Sequence, residues 1–118
     1  MANGRNSEIV VPSSGNVFAD LGVRDASEKQ TRVRLAVAIN RIIQARHLSQ
    51  NAAADLLAIN QPKISALANY KLEGFSVERL LNFLTALDRD VEIVIRKKPR
   101  SRKIGKIMVS QNQLTTAG

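Results

Sequence analysis

Residues 49–71 read SQNAAADLLAINQPKISALANYK, and this stretch decides the fold. Ser49 is a good helix N-cap, and none of the residues that follow it breaks a helix before the next turn. The segment 58–60 is too short to form anything except a tight turn. Asn60 can cap a second helix, whose first turn tolerates Pro62 because an N–H there would have no helical partner. The stretch therefore predicts two short helices joined by a tight turn.

The two predicted helices carry the residues that a close helix crossing requires. Ala53 and Ala54 are small where the first helix must approach its neighbour, and Ile64 and Leu67 share one side of the second helix. This placement leaves a short, polar and uncharged face on the opposite side of the second helix. That face consists of Gln61, Pro62, Ser65, Ala66 and Asn69.

A polar, uncharged helix face of this kind suits the edges of DNA bases. Glutamine and asparagine can form paired hydrogen bonds with adenine, serine can donate or accept, and an alanine methyl can contact the methyl group of thymine. Around the face, Gln50, Lys63 and Lys71 are predicted to hold the DNA backbone through phosphate contacts. The alternative interpretation is a structural pair of helices without a DNA-binding role.

Further helices are predicted on both sides of this pair. A long amphipathic helix begins near Asp25 or Ser27 and ends near Arg46 or His47. After the pair, Ser76 can cap a fourth helix with a continuous apolar stripe. These helices would supply the core on which the two short helices pack.

Residues 91–96 alternate between two faces and predict a β-strand after the fourth helix. Val91, Ile93 and Ile95 share one face of that strand. Because a lone strand exposes unpaired edges, we expect these three residues to mediate homodimerisation by pairing with a two-fold mate. The alternative is that the strand only covers the core.

The charge of the chain is concentrated near its C-terminal end. Residues 96–106 contain seven positive side chains and no acid, and without these seven the 18 Lys and Arg fall to 11 against 10 acidic residues. Such a basic segment favours a polyanionic partner, nucleic acid before membrane. We expect backbone contacts to DNA from Lys97, Lys98, Arg100 and Arg102. The alternative is a solvated segment that only aids solubility.

The composition argues against enzymes, metal sites and membrane spans. The sequence has no Cys and one His, and it lacks a Gly-rich phosphate loop or clustered carboxylates, so we expect no catalytic residues, no metal and no cofactor. The long uncharged stretches, residues 9–19 and 107–118, are far shorter than the roughly 20 apolar residues of a membrane span. We expect a cytoplasmic protein that has no membrane partner.

Residues 49–71 resemble the helix-turn-helix of the lambda-repressor-like, Xre-type regulators, and residues 15–22, 74–81 and 90–96 are similar to the HigA-like antitoxin branch of that class. The resemblance covers about residues 15–98. It implies a mostly α fold, namely a bundle of four to five helices with a C-terminal β-strand, a flexible N-terminal arm and a basic tail. One departure is Ala58, where the family turn usually has Gly.

The resemblance also implies a function and a domain organisation. We expect a flexible arm over 1–24, a DNA-binding domain with its strand over 25–96, and a basic tail over 97–118. The protein would bind an operator in double-stranded DNA as an autorepressor and neutralise a RelE/HigB-type toxin. The alternative is a stand-alone Xre-type transcriptional regulator with no toxin partner.

The N-terminal arm offers a toxin-binding segment. Asn16 can cap a one-turn helix that Gly22 ends, and a turn this short needs a partner for its apolar side chains. We expect the toxin contacts to come from Val17, Phe18, Asp20 and Leu21. The alternative is that the apolar members of this set pack on the protein's own first helix.

Overall fold

A computed structural model describes residues 16–111 of the chain, with side chains from residue 26 onward. The regular secondary structure within these residues consists of four helices: α1 (Asn16–Ala45), α2 (Gln50–Leu57), α3 (Gln61–Ala68) and α4 (Val77–Ala86). None of the four is long and apolar enough to cross a membrane. The predicted mostly α fold with a helix-turn-helix is confirmed in its helical part.

Three helices begin at the caps that the sequence predicts. Side-chain oxygens of Ser49, Asn60 and Ser76 each accept a hydrogen bond from a backbone N–H three residues later, at 3.0–3.1 Å. Each bond satisfies one of the N–H groups that have no partner within the first turn of a helix. Polar side chains therefore fix where α2, α3 and α4 start.

All four helices are followed by a residue in the left-handed region, and none of these residues is glycine. They are His47 (φ 55°), Ala58 (φ 56°), Tyr70 (φ 60°) and Asp88 (φ 66°). In each case two backbone hydrogen bonds of the Schellman type reach back into the helix, for example from Ile59 N–H to the Ala54 carbonyl at 3.0 Å. The helices end cleanly, but at positions where a side chain costs conformational energy.

The core lies where α1 packs against α4 and α3, with α2 closing the remaining side. Its fully buried side chains include Ile39 from α1, Ile64 and Leu67 from α3, and Leu80 from α4. Phe75 and Phe83 meet edge to face, with ring centroids 5.9 Å apart. A hydrogen bond of 3.2 Å from the Asn40 amide to the Leu67 carbonyl also ties α1 to the end of α3.

The prediction of a one-turn helix that ends at Gly22 is wrong, because α1 continues without a break from Asn16 to Ala45. A glycine inside a helix costs about 1 kcal/mol relative to alanine. A stop and restart would cost more, because it would leave carbonyl and N–H groups at both new ends without helical partners. Residues 16–24 are therefore helical, whereas residues 1–15 lie outside the described residues.

The strand predicted over 91–96 is absent from the single chain, where these residues carry no regular secondary structure. A strand needs a second backbone to pair with, and no such pairing occurs within the described residues. Ile93 and Ile95 are 75% and 92% exposed. The pattern thus identified an apolar extended segment, but not a partner for it.

The chain after α4 forms an arm that leaves the helical body and returns to it. We call residues 90–111 the C-terminal arm. It turns where the Arg102 N–H donates to the Pro99 carbonyl at 3.2 Å. On its return, the Ile107 carbonyl accepts a 3.4 Å hydrogen bond from the Arg34 guanidinium, and Val109 packs against the core. The last seven residues, 112–118, lie outside the described part of the chain.

Candidate nucleic-acid interface

The turn between α2 and α3 has the geometry that the sequence predicts. Ala53 is completely buried at the crossing of the two helices, and Ala54 is buried beside it. Ala58 takes the left-handed conformation that lets the chain reverse direction within three residues. Ile59 then packs against the core and fixes the direction in which α3 leaves the turn.

The side of α3 opposite its buried residues faces solvent. Gln61, Pro62 and Asn69 are exposed, and Ser65 is half-buried among them. Ala66, predicted to belong to the same face, is half-buried and packs against the core, so it lies at the edge of the face. The face therefore offers amide and hydroxyl groups from one side of one helix.

A hydrogen bond joins the first residues of the two helices. The Gln61 Nε2 donates to the Gln50 Oε1 at 2.5 Å, and both side chains are exposed. The bond leaves the Gln61 Oε1 and its second amide hydrogen free, together with the Gln50 amide group. Sequence reasoning assigned the two glutamines separate roles and missed this bond, whose signal is that both occupy the first position of their helices.

The Asn69 amide is engaged within its own helix. Its Nδ2 donates to the Ser65 carbonyl at 2.9 Å. The carbonyl oxygen of the Asn69 side chain stays free to accept a hydrogen bond. A paired contact from Asn69 to adenine would therefore first require the local bond to break.

Lys63 lies on the flank of α3 rather than on the outward face. Its ammonium is 5.6 Å from the centroid of the Phe75 ring, and Arg79 stands 5.9 Å from the same ring. Cations at such distances are attracted by the electrons of the ring face. The sequence analysis missed Arg79, whose position over the Phe75 ring depends on how α4 packs.

Comparisons with known proteins agree with this geometry. A family model described as a helix-turn-helix domain matches residues 17–96. A solved structure assigned to the XRE family of transcriptional regulators is 65% identical, with a TM-score of 0.72, and the match covers 75% of this chain and 99% of that one. The chain belongs to the Xre-type helix-turn-helix family. No curated protein matches it significantly.

Several predicted backbone contacts of this Xre-type protein lie in the C-terminal arm. Lys97, Lys98 and Arg100 are exposed, whereas Arg102 is half-buried. The Lys98 ammonium donates to the Arg102 carbonyl at 2.9 Å, and this bond closes the turn of the arm. Three of these four cations are therefore exposed, and the arm that carries them returns to α1, where Arg34 donates to the Ile107 carbonyl.

The structure describes the side chain of Lys71, but only the backbone of the residues predicted to bind a toxin. Lys71 is exposed three residues after the end of α3, and exposure is what a phosphate contact requires. The side chains predicted to bind a toxin lie outside the described side chains, although their backbone belongs to α1. Within the described residues, no group of acidic or histidine side chains could hold a metal ion.

Proposed function

We propose that this Xre-type protein is a transcriptional regulator that reads an operator with the outward face of α3, and that it is also an antitoxin. The observation that carries the DNA-binding part is the hydrogen bond between Gln50 and Gln61. It fixes an exposed amide at the start of a helix whose outward face is polar and uncharged. An amide held in place loses little conformational freedom when it binds a base edge.

The proposed role of each side chain follows from the hydrogen-bond donors, acceptors or charge that it does not use within the protein. Gln61 uses its free oxygen and remaining amide hydrogen on an adenine, and Ser65 reads the neighbouring base pair. Gln50 donates its amide to a phosphate oxygen, and Lys71 neutralises another. Lys63 reaches the backbone from the flank of α3.

The protein would bind DNA as a homodimer through the C-terminal arm. Residues 91–96 expose β-branched side chains on both faces, and within the described residues their backbone has no pairing partner. Exposed apolar side chains on an unpaired extended segment favour a second strand. The same segment of a second copy, related by a two-fold axis, offers an antiparallel strand of identical pattern.

A selection from a pool of random DNA duplexes tests this function. A two-fold dimer with one α3 in each half-site predicts an enriched palindrome whose half-sites lie about 34 Å apart or a multiple of it. The matched control is the variant carrying Gln61→Ala and Ser65→Ala, which should enrich no sequence. If the unaltered protein also enriches no sequence, it does not read an operator.

The antitoxin role rests on the resemblance to the HigA-like branch and on the position of residues 16–30. Among the described side chains of α1, which begin at residue 26, Thr31 is the first that is buried, so residues 26–30 lie outside the core. Val17, Phe18 and Leu21 are spaced to share one face of the helix, where a partner could bury them. Asp20 would meet the positive charge of a RelE/HigB-type toxin.

Deletion of residues 1–24 tests the antitoxin role. If the N-terminal arm serves a partner and not the core, the shortened protein should keep its melting temperature and its operator affinity, whereas a large drop in stability would identify the arm as part of the core. It should fail to restore growth when it is co-expressed with a toxin encoded beside its gene. If the full-length chain also fails to neutralise such a toxin, the alternative of a stand-alone regulator holds.

A further inference from the structure

Tyr70 occupies a backbone conformation that a tyrosine adopts at a cost. It follows α3 with φ 60°, held by hydrogen bonds from its own N–H to the Leu67 carbonyl and from the Lys71 N–H to the Ala66 carbonyl. Glycine or asparagine is the usual residue at this position after a helix. A bulky side chain with positive φ is uncommon and calls for a physical reason.

The Tyr70 side chain lies outside the core of the folded chain. The tyrosine is 44% exposed and is not among the residues that form or cover the core. Its hydroxyl makes no hydrogen bond within the part of the chain that the structure describes. Neither packing in the core nor an internal hydrogen bond therefore compensates for the backbone strain at Tyr70.

The residues around Tyr70 indicate which interaction compensates for the backbone strain. Asn69 and Lys71, its two neighbours, are both exposed, and Asn69 ends the outward face of α3. Tyrosine hydroxyls and lysine ammonium groups are both common donors to phosphate oxygens in protein–DNA complexes. Because Tyr70 and Lys71 are adjacent in the chain, a phosphate at the end of α3 can accept from both.

We propose that the Tyr70 hydroxyl donates a hydrogen bond to a phosphate of the operator backbone and so holds the C-terminal end of α3 against the DNA. The inference rests on the proposed DNA binding and adds a contact at the end of α3 opposite to Gln61. In this conformation the ring is partly exposed and does not belong to the core. A residue that suits the conformation better would stabilise the free protein and weaken the complex.

Two substitutions of Tyr70 distinguish the effect of its hydroxyl from the effect of the backbone strain. Tyr70→Phe keeps the ring and the backbone conformation, so its melting temperature should be unchanged while its DNA affinity falls about tenfold. Tyr70→Gly removes the strain and the ring, so its melting temperature should rise by about 3–6 °C while its affinity falls at least as far. Ala58→Gly is the matched control, because it relieves a similar strain without removing a proposed contact.

The dependence of binding on sequence and salt distinguishes this contact from the others. A phosphate contact carries no sequence information, so Tyr70→Phe should weaken operator and random DNA to the same extent. Because the hydroxyl is uncharged, the slope of log K against log salt should stay unchanged, whereas Lys71→Ala should reduce it by about 0.9.

Failure of this inference is distinct from failure of the proposed function. If the unaltered protein binds DNA and Tyr70→Phe binds it equally well, the hydroxyl makes no contact and the inference is overturned. If the unaltered protein binds no operator at all, the proposed function fails instead.

Discussion

Ala58, the left-handed residue in the turn between α2 and α3, gives a prediction about stability that depends on a single residue. Ala58 has φ 56°, and an L-residue there costs about 1–2 kcal/mol. Ala58→Gly removes that strain but adds about 0.4–1 kcal/mol of backbone entropy to the unfolded chain. We therefore expect the free energy of unfolding to increase by about 0.5–1 kcal/mol, as measured by urea denaturation.

Ala52→Gly provides the matched control for this change. Ala52 lies inside α2, where glycine is unfavourable by about 1 kcal/mol. The same substitution should therefore destabilise the protein there. A loss of stability in Ala58→Gly as well would mean that the turn does not hold residue 58 in the left-handed region.

Also at the residue scale, the sequence predicts interactions between residues a few positions apart, but not interactions that depend on how two elements pack. The caps at Ser49, Asn60 and Ser76 could be predicted because each depends on bonds within three residues. The bond between Gln50 and Gln61 depends on the angle at which two helices cross. The position of Lys63 over an aromatic ring likewise depends on how α4 packs, which no local pattern encodes.

At the scale of elements, the C-terminal arm carries the prediction about assembly. Ile93 is 75% exposed in the single chain, so Ile93→Asp should leave the fold of the monomer intact. In a two-fold pair of strands, the substitution buries a charge and places it near its own copy, which is strongly unfavourable. We expect sedimentation equilibrium to show a dimer for the unaltered protein and a monomer for the variant.

The control for this experiment adds the same charge to the turn of the arm. Ser101→Asp lies in an exposed position outside residues 91–96 and should leave the dimer unchanged. A well-folded Ile93→Asp dimer would place the dimer interface elsewhere.

The boundaries of helices could be predicted because a helix forms its hydrogen bonds within a single segment of the chain. α2, α3 and α4 have local caps and buried stripes of their own, and their predicted positions agree with the structure. The start of α1 was misplaced because Gly22 was given more weight than helix continuity. The segment 91–96 has the composition of a strand, but a strand is a property of two backbones, and only one is present.

At the scale of the whole molecule, the charge of the arm should govern how DNA binding depends on salt. Truncation at residue 96 would also remove Val109, which packs against the core, so substitution perturbs the fold less. We expect the triple variant Lys97→Gln, Lys98→Gln and Arg100→Gln to reduce the slope of log K against log salt by about 0.9 for each phosphate that is no longer neutralised. A slope that does not change would show that these cations remain solvated in the complex.

The most direct measurement compares the affinity of Gln61→Ala for the operator and for random DNA. Removal of hydrogen bonds to a base should weaken operator binding by about 1–3 kcal/mol, which is roughly 5- to 160-fold, and leave random DNA nearly unaffected. Gln44→Ala, at an exposed position on α1, is the matched control and should change neither affinity. An equal decrease in affinity for both kinds of DNA would contradict base reading by α3, the central claim about this protein.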